Sequence, residues 1–150
     1  MRVFAGPLCF ALFGLLTTSH LPLRVGQMAG YAVYGAAFAF AGLFLFSMML
    51  AAVNPGAGLR QAFAAVCSGF LMVIPFAVLA LVAELVLRWN AVQAFASVGL
   101  MTAGGAAGLE LAKSGDRQLL NAVVPAIGGF ILTVVWVLAT PLAVKLTTLL

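Results

Sequence analysis

Charge is what this sequence has least of. Of its 150 residues, seven are Lys or Arg and three are Asp or Glu, against 65% hydrophobic residues and a mean hydropathy of +1.24. A soluble domain carries about 25% charged residues and at most about half apolar ones, so a globule with water all round it is excluded, as is a disordered tail. The basic residues, Arg2, Arg24, Arg60, Arg88, Lys113, Arg117 and Lys145, are spread singly along the chain. That leaves no basic run for nucleic acid or anionic lipid to read. Histidine is nearly absent: His20 alone cannot make a pair of axial haem ligands, a histidine-rich metal cluster, or an imidazole beside a nucleophile within one motif. No phosphate-cradling glycine loop carries its Lys and Ser or Thr. The expectation is therefore a protein that is not an enzyme and binds no cofactor, metal or nucleic acid. Cys9 and Cys67 lie far apart inside apolar stretches, which indicates neither a disulfide framework nor a thiolate metal site.

What the sequence has in abundance is long apolar runs. A spanning helix takes about 20 such residues to cross a hydrocarbon core about 30 Å thick, so the chain can hold about four to six spans. The isolated charges and the breakers divide it into five, over 3–19, 27–53, 61–87, 91–111 and 119–143, with four the alternative because 91–111 is rich in small residues and less hydrophobic. His20, Pro22 and Arg24 make the first turn, and Asn54-Pro55-Gly56-Ala57-Gly58 ends the second span. Arg88-Trp89-Asn90 reads as an interfacial cation beside an aromatic amphiphile. Lys113 to Gln118 is the one clearly polar loop. The first stretch, behind Arg2, also fits a cleaved leader with Thr17 and Ser19 at the cut; the reading adopted is a retained span. For five spans, Arg2, Arg60, Lys113 and Arg117 fall on the N-terminal side, and Arg24, Arg88 and Lys145 on the other. This bias favours a cytoplasmic N-terminus. The expected class is all-α: a polytopic helix bundle, integral to a membrane, with the bacterial inner membrane favoured over a eukaryotic endomembrane.

Leu against Leu gains nothing in lipid, so helix association there rests on small residues that let backbones approach. Gly26 with Gly30, and Gly104 with Gly108, form GxxxG pairs; Gly99, Ala103 and Ala107 extend the second as a stripe, and Gly128-Gly129 marks the last span. These read as packing within the chain or as a seam for a homo- or hetero-oligomer with other membrane proteins. Pro75 removes the donor for the Leu71 carbonyl and should kink the third span, as a static feature or as a hinge. Pro125 and Pro141 act likewise in the last. Glu84 is the acid placed below a membrane surface. Arg88, four residues on, shares its helical face, so the two read as an intramembrane ion pair with the arginine reaching for the interface, or else Glu84 is a proton or cation site. Glu110 and Lys113 repeat the pairing. No sequence repeat, direct or inverted, is visible by eye.

Four patches resemble the Yip family, five-span membrane proteins that interact with Rab GTPases and whose domain also occurs in bacteria. Ala5-Gly6-Pro7-Leu8 opens the first span before a Phe-rich run. Gly30-Tyr31 and Tyr34-Gly35 lie in the second. Gly58-Leu59-Arg60-Gln61-Ala62 leads to Gly69 and Pro75 in the third, and Gln118-Leu119-Leu120 precedes Ala122 and Pro125 in the last. Val3-Phe4 stand where that family has an acidic residue before the Gly-Pro, and its long N-terminal tail has no counterpart, so Rab binding does not carry over. The resemblance implies a five-helix architecture, a cytoplasmic N-terminus and a role in membrane organisation or trafficking. Two functions are thus expected in competition: an organising protein or accessory subunit working through helix contacts, or a small transporter or channel subunit using Glu84 and the Pro75 kink.

Overall fold

The computed structural model describes residues 2–19, 24–54, 56, 58–88, 91–112 and 118–148, with side chains over 3–19, 24–54, 56, 58–88, 91–111 and 122–139. Six α-helices make up the described chain: α1 (Arg2–Thr17), α2 (Val25–Val53), α3 (Leu59–Gly69), α4 (Val73–Leu87), α5 (Val92–Ala112) and α6 (Gln118–Thr148). A 3₁₀ turn, Phe70–Met72, joins α3 to α4, so these two form one interrupted 29-residue rod. The described residues form an all-α bundle in which α1 runs antiparallel to α2 and α5 antiparallel to α6. The turn at His20 and Pro22, the Trp89-Asn90 pair, Pro55, Ala57 and the loop from Lys113 to Arg117 lie outside the described residues, as do the side chains of Pro141 and Lys145.

Four segments are long and apolar enough to cross a membrane: Val25–Val53, Leu59–Leu87, Val92–Leu111 and Ala122–Ala139. The doubtful span of the sequence reading is therefore long enough, and α1 is the short one. At about 1.5 Å per residue, its 16 residues reach about 24 Å, less than the hydrocarbon thickness of about 30 Å. Yet α1 is central. Phe10 and Phe13 are fully buried in the core, and the helix packs on α2, α3, α4 and α5.

The helix ends follow from local chemistry. At the end of α1, three successive hydroxyls return to its last carbonyls, Thr17 to those of Phe13 and Gly14, Thr18 to Leu15 and Ser19 to Leu16, at 2.8–2.9 Å. In a bilayer those carbonyls would otherwise lack donors. Before α2, Arg24 is extended and its N–H donates to the Gln27 side chain at 3.1 Å. At the far end, the Asn54 backbone and side-chain amides both donate to the Leu50 carbonyl. One turn before Pro75, where a kink is expected, the α-helix gives way to the 3₁₀ turn at Phe70–Met72. The proline ring excludes an α-helical bond to Leu71 and crowds that carbonyl, so the chain tightens on its N-terminal side. Pro75 itself is exposed on the outer face, while Phe70 and Val73 point inward and are fully buried.

Outside, the bundle is lined by apolar residues such as Val33, Phe44, Met48, Val78, Leu85, Ile131 and Leu138, each at least two-fifths exposed. With four segments long enough to cross, this outer surface faces lipid, and the chain is a polytopic membrane protein.

Candidate functional site

Two kinds of feature stand out among the described residues: places where backbones touch, and a buried carboxylate. The first kind comes from glycine. A methyl group built on Gly35 of α2 would overlap the Phe10 carbonyl oxygen of α1, and one on Gly14 of α1 would overlap the Tyr31 carbonyl oxygen of α2. The contact is reciprocal: each helix offers a carbonyl and, four residues later, a glycine. The α5/α6 pair repeats it. Gly104 meets the Pro125 carbonyl, and Gly129 meets the Leu100 carbonyl, where a methyl carbon would sit at 2.6 Å. In each antiparallel pair the glycine hydrogen takes the place a side chain would fill, giving the close Cα–H···O approach common between helices in lipid. Gly69 makes a one-sided version against the Ala103 carbonyl of α5.

The structure sorts the glycines singled out by spacing. Gly104 packs inside the chain and Gly108 is buried, but Gly26 is exposed with nothing within 4 Å of a methyl placed on it, and Gly30 is only half-buried. Gly99 makes ordinary contacts, at 3.4–3.6 Å, with Val73 and Phe76. Gly14, Gly35 and Gly69 carry contacts that spacing alone did not single out. Gly14 and Gly35 each lack a glycine four residues away, and the GxxxG search looks along one helix, whereas the actual pattern runs across two.

The carboxylate is Glu84, 4% exposed near the end of α4. Its Oε1 is hydrogen-bonded to Ser19 Oγ at the end of α1, a link across 65 residues, whereas the other recorded hydroxyl bonds, such as Ser47 to Leu43 and Thr133 to Gly129, return to their own helices. Arg88 departs from the expected geometry. It does not continue the helix but ends it, in the left-handed region at φ 50°, and is exposed. Arg88 thus sits at the helix end one turn beyond Glu84, and across the bundle the structure sets Ser19 against Glu84. Lys113, the expected partner of Glu110, lies outside the described residues.

A left-handed residue with a Cβ is strained by about 1–2 kcal/mol. Arg88→Gly is expected to raise stability in detergent by about 1 kcal/mol, read as a higher midpoint of thermal unfolding. Arg88→Ala, which keeps the Cβ, should bring no such gain. Equal effects from the two substitutions would trace any change to the charge instead.

Among the described residues no group of three or more His, Cys, Asp or Glu side chains could hold a metal ion. The middle of the bundle is filled by rings: Trp136 of α6 meets Phe10 edge-on at 5.6 Å and lies 6.2 Å from Phe38 and 6.5 Å from Phe13, while Phe46 meets Phe70 edge-on at 6.1 Å. Compared with models of known protein families, with curated proteins and with solved structures, the chain matches none.

Proposed function

We propose that this is a non-enzymatic membrane protein that works through lateral contacts, as an accessory subunit of a larger membrane complex or as a membrane-organising protein of the Yip-like kind. The observation that carries the reading is where the polar groups go. Apart from Ser19, whose hydroxyl also reaches Glu84, the Ser and Thr hydroxyls that make hydrogen bonds return to carbonyls of their own helices, and the centre is occupied by aromatic rings and touching backbones. What remains to meet a partner is the outer apolar surface of α2, α4 and α6. Because Gly104 is used inside the chain, a partner seam would lie on those outer faces. Purification from native membranes in mild detergent tests the proposal: a stoichiometric second membrane protein is the expected result, and a lone monomer overturns it. The resemblance and the charge bias both favour a cytoplasmic N-terminus, in what we take to be a bacterial inner membrane; cysteine labelling at Gly56, beyond the end of α2, reads the orientation.

A second reading, a small transporter or channel subunit, draws on the burial of Glu84, since buried acids within membranes commonly belong to ion pathways. Pro75 supports it less, because its ring faces outward. In liposomes holding the purified chain, Glu84→Gln is expected to abolish any cation or proton flux if this reading holds. Equal flux in both proteins, or none in either, removes it.

A further inference from the structure

The close glycine contacts sort into two kinds, and the sorting divides the molecule. Those in which a glycine presses on another helix's backbone carbonyl lie either between α1 and α2 (Gly14, Gly35) or among α3, α5 and α6 (Gly69, Gly104, Gly129). Those that cross from the first group to the second meet only side chains: Gly6 meets the Phe70 ring, Gly128 meets the Met49 side chain with a methyl position at 2.9 Å, and the Phe46 ring approaches Gly104 at 3.2 Å. The remaining ring contacts across the same boundary are Phe10, Phe13 and Phe38 on Trp136, Phe46 on Phe70, and Phe44 on Phe63.

The two kinds of contact resist motion differently. Where a carbonyl sits on a glycine, sliding by one residue drives that oxygen into a Cβ, so the register is locked. Ring and thioether contacts survive small displacements by rotation about χ angles, without backbone movement. We infer that the protein consists of two bodies: an α1–α2 hairpin, and a platform of α3, α4, α5 and α6, meeting across a side-chain interface. The hairpin rocks on the platform, and the hydrogen bond between Ser19 and Glu84 latches the two together at the end where α1 stops. This inference holds whether or not the lateral-contact reading does.

The test is a set of pulsed electron spin resonance distances in phosphatidylcholine nanodiscs, with Cys9 and Cys67 replaced by alanine. Nitroxides go on exposed positions: Leu8 with Val33 within the hairpin, Val98 with Ile131 within the platform, and Leu8 with Leu79 across. The expected result is a cross-body distribution roughly twofold wider than either internal one, which shifts on Ser19→Ala while the internal pairs hold. Three equally narrow distributions that Ser19→Ala leaves alone, or an internal pair that broadens with the cross pair, overturn the inference. Should the labelled chain not assemble, hydrogen–deuterium exchange on the otherwise unaltered Ser19→Ala protein decides the matter. Faster exchange confined to 2–17 and 25–53 supports two bodies; no change, or faster exchange throughout, overturns them.

Discussion

Gly35→Ala should lower the stability of the purified protein by about 2–3 kcal/mol, the scale of an overpacked core position. The added methyl meets the Phe10 carbonyl oxygen, and both partners are backbone, so neither can turn aside. The helices must part, which also empties the reciprocal contact of Gly14 with Tyr31. A double substitution follows a different rule from the single ones. Once Gly35→Ala has separated α1 from α2, Gly14→Ala finds the space already made, so Gly14→Ala with Gly35→Ala should cost clearly less than their sum. Gly35→Ala with Gly104→Ala, in different helix pairs, should add to within about 0.5 kcal/mol. Gly26→Ala and Gly99→Ala are the controls. The first meets open space and the second ordinary contact distance, and alanine in a helix gains about 0.5–1 kcal/mol over glycine. Both should be neutral or slightly stabilising in reversible unfolding by sodium dodecyl sulfate. Additivity within one pair, or a large loss at Gly26, would contradict the reciprocal packing.

The bundle was legible in the sequence because hydrocarbon imposes a simple arithmetic of apolar run length, and charge marks the ends. The break near Pro75 was legible for a similar reason, since a missing N–H is a local fact. Its position one turn upstream was less so, because the crowding falls on the residues before the ring. The functional residues were harder to see. Gly104 could be picked from its spacing to Gly108, but Gly26 shares that spacing and faces outward. Which face of a helix meets a neighbour is set by all the helices together, and runs that are apolar on every side carry little periodicity to report it. Glu84 was identifiable as a rare buried acid. Its link to Ser19 was not, since Ser19 is 65 residues away in the sequence and only the packing of α1 on α4 brings the two together.

The second large effect is expected at Trp136, and it separates packing from burial. Trp136 is 2% exposed and is surrounded by Phe10, Phe13 and Phe38. In a soluble core, replacing such a residue by alanine removes about 3–5 kcal/mol, part of it transfer from water and part the cavity left behind. In a bilayer the first part shrinks, because lipid is as apolar as the protein interior. What remains is lost dispersion and the unfilled volume. Trp136→Ala should therefore destabilise by about 3 kcal/mol, at the lower edge of the soluble range. Trp136→Phe, which keeps a ring against Phe10, should lose about half of that. An apolar cavity of this kind stays dry and takes up aromatic guests, so added indole should restore part of the loss in Trp136→Ala and none in the native protein. Because the ring belongs to α6 and its neighbours to α1 and α2, the loss should fall on the docking of the α1–α2 hairpin, whose amides would exchange faster than those of α5. A loss below about 1 kcal/mol, or no response to indole, would mean that the helices collapse to fill the space, and that the aromatic cluster occupies the centre of the bundle without holding it together.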